Sequence, residues 1–388
     1  MKKTVLRAAA LLATAALATS CSAGQRQVPY TSGTQGTAAP PITILTHDAQ
    51  SNGDIFIAPA GGNYASGPEI LTTSGRVVWW HPLSGAMATD FRTQTYRGQP
   101  VLTWFAGGTD YIYNDHYKQI ATVTAGNGYM TNFHEFFITP WNTALILASK
   151  AATANLTSMG GPADQQVMDD AVQEIDISTG RVLFQWDAAG HIPYRDSQVP
   201  LPGSAFQPWD WIHLNAVHLD TDGNLLIDSR NTWTTYKVNR HTGQIIWELG
   251  GKQSSFTLRA APGQVLDSRG EIFAWQHDPE AIGGGEYTIF DDESGVGLLP
   301  ASRAVTIRLD LTTHVATLVK SDSQPEGDVA GAMGNAQTTR NGDLFVGWGG
   351  LPYISEFSPS GKLLFNAELP AGVTTYRAYL LPWPPASS

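Results

Sequence analysis

The sequence predicts an all-β protein of six four-stranded antiparallel sheets set as a ring around a central channel. Three observations predict it. An apolar strand, a Thr/Ser-Gly turn and a strand ending in an aromatic or large apolar residue recur along the chain. A second recurring phrase, strand, Asn/Asp/Gly turn, strand, precedes each copy of the first. Helical periodicity is nearly absent from residue 41 onward. Two hairpin phrases per unit give four strands, and four-stranded units repeated radially make a β-propeller. An eight-bladed ring or a β-helix would need more or shorter repeats.

In chain order, the hairpins of the second phrase are ILTHDAQSNGDIFIA (44–58), FRTQTYRGQPVLTWF (91–105), FHEFFITPWNTALILA (133–148), HLNAVHLDTDGNLLIDS (213–229), HDPEAIGGGEYTIFD (277–291) and AQTTRNGDLFVGW (336–348). Their turn glycines, or the counterpart Asn142, fall at 53, 98, 142, 223, 285 and 342, about 58 residues apart. Short turns between alternating strands are the strongest hairpin signal a sequence carries. The first phrase follows as ILTTSGRVVWW (70–80), YIYNDHYKQIATV (111–123), IDISTGRVLFQW (175–186), VNRHTGQIIWEL (238–249), LDLTTHVATLVK (309–320) and FSPSGKLLFNAEL (357–369). The C-terminal TTYRAYLLPW has strand character and is expected to complete a blade begun by the N-terminal strand, closing the ring.

Residues 1–20 are read as a signal peptide. Lys2, Lys3 and Arg7 precede the apolar AAALLATAALA, which is too short to span a bilayer. The run ends in ATSC, which looks like a lipoprotein cleavage box and makes Cys21 the candidate lipidation site, with Ala18 standing where leucine is usual. The alternative is an ordinary secretory signal with Cys21 incidental. Residues 21–40, small, polar and rich in Pro and Gly, read as a flexible tether to the membrane, and 41–388 as the propeller. The expected location is therefore extracytoplasmic, with the lipid as the sole membrane contact.

The 388 residues are 42% hydrophobic, enough for a large core, and their formal charge of -11 argues against nucleic acid or anionic lipid as main partner. Cys21 is the one cysteine, so the domain has no disulfide, no CxxC zinc site and no thiol nucleophile. GGGEY (283–287) lies in a hairpin turn and is no nucleotide-binding loop; no cofactor motif is present.

In a propeller the first strand of each unit lines the channel, and a hairpin returns its two ends to one face. His213 and Arg230 then lie together at the channel mouth. His134 and His277 stand eight residues before their turns and His213 ten before its own, so three successive blades begin the innermost strand with histidine. Blade six has Asn335 and Gln337 there. One such histidine is ordinarily a buried ring bonded to a neighbouring strand; three with an arginine point to a site. His81, His116, His191, His218, His241 and His314 are placed in turns or outer strands, at the surface. The indoles Trp209, Trp211 and Trp275 and Phe133 crowd the same face, as core or as the edge of a pocket for a flat aromatic substrate.

Two chemistries suit the three histidines. The first is a metal site; against it, Arg230 would sit near the ion, and Glu135 and Asp278 follow their histidines on strands where neighbours face opposite ways. The second is transfer of an anionic group, with arginine as the planar donor to oxyanions and one histidine as nucleophile.

DWIHLNAVHLDTDGNLLIDSRNTWTTYKVNRHTGQIIWELGG (210–251), QHDPEAIGGGEYTIFDD (276–292) and GNAQTTRNGDLFVGWGGLPYISEFSPSGKLLFNAEL (334–369) resemble the arylsulfotransferase family of bacterial exported proteins, over roughly residues 45 to 385. The resemblance implies a six-bladed propeller that moves a sulfuryl group from an aryl sulfate donor to a phenolic acceptor, without a nucleotide sulfate. It implies that His277 becomes transiently sulfated, that His213 and Arg230 bind the sulfuryl oxygens, and that His134 is a further channel histidine, although NFHEFF departs from the usual His-Asp pattern. Asn215 of the His-x-Asn motif, Trp211, Trp275, Asn335 and Gln337 are the candidate substrate contacts. The chain lacks the extra N-terminal β-sandwich and the disulfide of the best-known members and looks like the shorter, single-domain branch. Two other readings stay open: a cell-surface propeller that binds an anionic or aromatic ligand without chemistry, and a metal-dependent ester hydrolase.

Overall fold

A computed structural model describes residues 38–49, 52–293 and 299–384. The expected signal peptide, Cys21 and nearly all of the expected tether lie outside the described residues. The regular structure of the described residues is β-strand apart from three single-turn 3-10 helices at Thr157–Met159, Ala188–Gly190 and Tyr194–Asp196. Six antiparallel sheets form a six-bladed propeller.

Strand β1 (Thr43–His47) is followed by β2 (Asp54–Gly61), β3 (Glu69–Thr72) and β4 (Val77–Trp80) of blade one. Blade two is β5 (Ala88–Tyr96), β6 (Gln99–Ala106), β7 (Thr109–Tyr113) and β8 (Gln119–Val123). Blade three is β9 (Met130–Ile138), β10 (Thr143–Ala154), β11 (Gln165–Asp176) and β12 (Val182–Asp187), with β13 (Trp209–Asp210) parallel to β11. Blade four is β14 (Leu214–Leu219), β15 (Leu225–Ser229), β16 (Thr234–Val238) and β17 (Ile245–Leu249). In blade five, β18 (Thr257–Ala260) flanks β19 (His277–Gly283), β20 (Glu286–Asp291), β21 (Arg303–Asp310) and β22 (Val315–Ser323). Blade six is β23 (Asn335–Thr338), β24 (Leu344–Gly347), β25 (Tyr353–Phe357) and β26 (Leu363–Glu368), and β27 (Val373–Leu381) ends the chain.

Ring closure uses both ends of the chain. β27 pairs with β2 and is the innermost strand of blade one, as expected of the C-terminal segment. The hairpin expected at 44–58 does not form: β1 leaves β2 and pairs with β26, as a fifth, outermost strand of blade six. Alternation marks a strand but not its partner, and here the edge of blade six outcompetes the local turn.

Alternating side chains explain why the sheets stack. Leu225 and Ile227 of β15 pack toward blade three, and Leu226 between them packs toward blade five. Ile55 and Ile57 of β2 likewise face blade six while Phe56 faces blade two. A strand with period-two side chains buried on both faces needs a sheet on either side, and six such interfaces close the circle. The aromatic that ends the first phrase is the wedge: Trp186 fills the interface of blades three and four and donates its indole N–H to Gly243 O at 3.0 Å. Burying one indole contributes roughly 2–3 kcal/mol.

Candidate active site

The innermost strands are not straight ladders. Register breaks at Asp90–Phe91 in β5, 132–135 in β9, Asn215 in β14, Asp278–Pro279 in β19 and Tyr376–Arg377 in β27. The bulges of β9 and β19 let consecutive side chains, His134 with Glu135 and His277 with Asp278, reach groups in the channel, which strict alternation forbids. Asp90 and Asp278 take left-handed backbone at their bulges, with φ of 50° and 54°. His213, Trp275 and Met333 at the mouth are also left-handed, with φ of 52°, 58° and 69°, a strained conformation that clusters at functional sites.

The structure brings His134, His213, Arg230 and His277 to one end of the channel. The opening of the β14–β15 hairpin is zipped by Arg230 N–H donating to His213 O at 3.0 Å. His213 Nε2 lies 3.2 Å from His134 Nε2, and its Nδ1 is 2.5 Å from Asp210 Oδ2. His134 Nδ1 hydrogen-bonds Asn132 Oδ1. His277 is buried, with Nδ1 2.7 Å from Asp292 Oδ2, and its Nε2 accepts the Met333 N–H at 3.3 Å. A nitrogen that accepts carries no proton, so Nδ1 of His277 holds the N–H and donates it to Asp292.

Burial, then the positive Arg230, the neighbouring His213 and Arg377, hold His277 well below the ordinary imidazole range. Burial likewise discharges His134, with His213, His277, Arg377 and Arg230 adding to the effect. Burial raises Asp292 well above an ordinary carboxyl despite Arg230. A neutral imidazole backed by a basic carboxylate is a nucleophile whose positive charge, once it attacks, is drawn off through Nδ1. Burial would also raise Asp210, but His213 and Arg230 outweigh it and hold it low.

Arg230 is half-buried at the rim. Its guanidinium donates to Asn231 Oδ1 at 3.1 Å and Gly331 O at 3.0 Å, and lies 4.8 Å from the centre of the Trp275 ring. Five N–H groups in a planar fork leave further donors for an anion. The segment carrying Met333 is pressed inward by the β24–β25 turn. A Cβ on Gly349, at φ +56°, would lie 2.5 Å from Ala332 O.

Beneath the histidines the channel is filled by charge. Arg377 of β27 donates to Glu135 Oε2 at 2.8 Å, Asp90 Oδ1 at 3.1 Å and Asn215 O at 3.0 Å, and lies 3.3 Å from Asp278 Oδ1. Arg92 pairs with Glu135 and Asp90. His218 bridges Asp278 at 2.9 Å and Glu135 at 3.3 Å; burial would discharge it, but the two carboxylates outweigh that and raise it. His218, Glu135 and Asp278 are close enough to hold a metal ion, but the guanidinium of Arg377 already stands against both carboxylates. Their donor set fits an ion-pair network.

Several expectations need correction. Glu135 and Asp278 do not turn away from the channel, because the bulges break the alternation. His218 is not at the surface; it lies on β14, 6% exposed. Trp211 is wholly buried between blades three and four against Tyr194, at 4.6 Å between ring centres, as core. Asn215 is buried, donating to Gln276 O at 2.7 Å. Asn335 exchanges bonds with Ala378 N and O at 2.9 and 2.8 Å, and Gln337 with Leu380 N and O at 2.8 and 3.2 Å. Both amides clip β23 to β27, so of the proposed substrate contacts only Trp275 stands beside Arg230. The residues that sequence reasoning missed are Asp292, Asp210, Asn132, Met333 and Arg377. Asp210 and Asn132 precede their histidines by three and two residues, a readable signal; Asp292 and Arg377 arrive from other strands.

The family model described as Arylsulfotransferase (ASST) matches residues 92–369. No curated protein matches. Among solved structures, a protein of unknown function from Bacteroides caccae is 12% identical, with a TM-score of 0.51 over 84% of this chain and 98% of that one; it shares the fold. A putative 6-phosphogluconolactonase from Bacteroides fragilis is 11% identical (TM-score 0.42, 86% and 99% covered), and virginiamycin B lyase from Staphylococcus aureus 10% identical (TM-score 0.40, 84% and 87% covered). The matched segment holds His134, His213, Arg230 and His277 and spans most of the chain, which belongs to the arylsulfotransferase family.

Proposed function

We propose that the protein is an exported aryl sulfotransferase that works by double displacement through a sulfated His277. One observation carries the reading: the buried His277 has its Nδ1 tied to Asp292 while its Nε2 accepts a backbone N–H, and burial with Arg230 nearby favours the neutral ring. In the first half-reaction Nε2 attacks the sulfur of an aryl sulfate and the S–O(aryl) bond breaks. Arg230 holds the sulfuryl oxygens, Asp292 takes up the charge at Nδ1, and a proton held between His213 and His134 passes to the departing phenolate. In the second, an acceptor phenol returns that proton as its oxygen attacks sulfur and frees the imidazole. Atoms and charge balance without a cofactor, a metal or a nucleotide sulfate. Export through the leader and anchoring at Cys21 belong to the same proposal.

The burial of His277, 1% exposed, favours a second reading, a propeller that holds an anionic or aromatic ligand without chemistry. The test is release of 4-nitrophenol from 4-nitrophenyl sulfate with and without added phenol, on wild type and His277→Ala. Acceptor-dependent release that falls at least about a thousand-fold in His277→Ala, with an unchanged circular dichroism spectrum, supports transfer. Undiminished turnover in that variant sinks it. Binding without release leaves the second reading.

A further inference from the structure

We propose that Asn132 is a positioning residue that fixes the tautomer of His134, so that the proton between His134 and His213 resides on His213. The tautomer follows from hydrogen-bond direction together with the burial and positive neighbours of His134; its catalytic consequence rests on the transferase reading above.

The chain of bonds is directional at every link. Asp170 Oδ2 accepts Leu214 N–H at 2.9 Å, and its Oδ1 takes the Ser149 hydroxyl proton at 2.5 Å. Ser149 Oγ therefore accepts from Asn132 Nδ2 at 2.8 Å, which fixes the amide with Oδ1 toward His134. That same Oδ1 accepts the His134 main-chain N–H at 3.1 Å. A carbonyl oxygen cannot donate, so His134 Nδ1, which also meets it, carries the ring proton. His134 Nε2 is then bare, and it faces His213 Nε2 at 3.2 Å. Two lone pairs do not make a hydrogen bond; one nitrogen must donate. His134 already has its proton on Nδ1, in a buried site crowded by His213, His277, Arg377 and Arg230, where a second is disfavoured. The donor is His213, whose Nδ1–H meanwhile meets the Asp210 carboxylate.

The groups facing this pair are Asp210 before β14, His277 of β19, Arg230 after β15 and Arg377 of β27, with Asp170 of β11 behind. Phe133 stacks on the His134 ring at 3.9 Å and Tyr376 meets its edge at 5.7 Å, which prevents the ring from turning to a different partner. At rest His213 is thus an imidazolium paired with Asp210, its Nε2–H parked on His134. In the transfer reaction that N–H is the acid for the leaving phenolate, and a neutral His213 then recovers the proton from the acceptor phenol.

A long-range 1H–15N correlation spectrum of the full chain labelled with 15N-histidine tests this without turnover, with resonances assigned through His134→Gln and His213→Gln. The expected result near pH 7 is His134 protonated at Nδ1 only and His213 at both nitrogens. In Asn132→Leu, His134 moves to the Nε2–H form and His213 loses a proton. Asn132→Asp keeps an acceptor and keeps His134 Nδ1–H, so the question stays decidable if the leucine variant does not fold. A second readout is the rate ratio of 4-nitrophenyl to phenyl sulfate cleavage, since only the poorer leaving group needs the acid. Asn132→Leu should raise that ratio about 10- to 100-fold, which loosened packing alone would not do. Wild-type His134 found as Nε2–H, a neutral wild-type His213, or an unchanged His134 tautomer in Asn132→Leu overturns the proposal. Lack of turnover on any aryl sulfate would overturn the transferase reading and leave the tautomers to decide this one.

Discussion

At the residue scale the reacting atom is Nε2 of His277, and the group that makes it available is Asp292. Replacing that carboxylate by an amide keeps the size and removes the acceptor. Asn can present its NH2 to Nδ1, which then must accept, and the proton moves to Nε2 where the nucleophile was. Asp292→Asn is therefore expected to lower kcat about 10²–10⁴-fold with little change in thermal stability; single-turnover release of 4-nitrophenol checks it, and a loss under about three-fold would contradict the role. The sequence shows His277, His213 and His134 because repetition puts each at the start of a hairpin, and Arg230 because hairpin ends meet. It does not show Asp292. That residue directly follows the neighbouring strand β20, and nothing in FDD tells which of two aspartates turns to the ring. Asp291 goes instead to Arg303, at 2.8 Å.

At the element scale the innermost strands share no ladder with one another, so side chains must join them. Asn335 and Gln337 join β23 to β27, and Gln94 joins β5 to β9 through Ile138 N and Phe136 O at 2.6 and 2.7 Å. Asn335→Ala would leave Ala378 N and O unpaired at the buried seam, costing about 1–3 kcal/mol. The urea midpoint should fall accordingly while KM for the aryl sulfate stays unchanged; a raised KM at constant stability would return Asn335 to the substrate pocket. The hairpins of blades two to six were readable because turn chemistry fixes them locally. Two things were not: the partner of β1, which a pairing across the seam decides, and the five bulges, four of which need a single extra residue and that of β9 three in an otherwise alternating strand. Those bulges reversed the reading of Glu135 and Asp278 and hid the ion-pair network.

At the scale of the whole molecule, the seam, the channel floor and the site are one assembly, because Arg377 of the last strand touches groups from blades two to five. Its electrostatics set a window of stability. Arg377 and His218 overcome the burial of Asp278 and lower its carboxyl to about 2, so the stabilisation it gives is lost as pH falls through that value. Burial raises Glu69 to about 8, and Asp228, Glu248 and Glu271 to about 7, so their contribution is fully present only below the ordinary carboxyl range and is lost progressively as pH rises from there through 7 to 8. Tm is expected to be highest at about pH 4 to 5 and to decline toward pH 8, and Glu69→Gln should flatten that decline; a Tm that climbs from pH 5 to 8 would contradict this. The ring of six blades follows from alternation buried on both faces, and that is why it was legible from one sequence. The substrate is not, because the walls of the mouth come from loops without repeat. Covalent transfer through His277 is read from the mass of the His277 peptide after acid-free quenching of the protein with excess 4-nitrophenyl sulfate. A sulfated intermediate requires an adduct of about 80 Da, one sulfuryl group, on His277 that disappears when phenol is added before the quench. Acceptor-dependent turnover with His277 unmodified, or with the adduct on another residue, would contradict it.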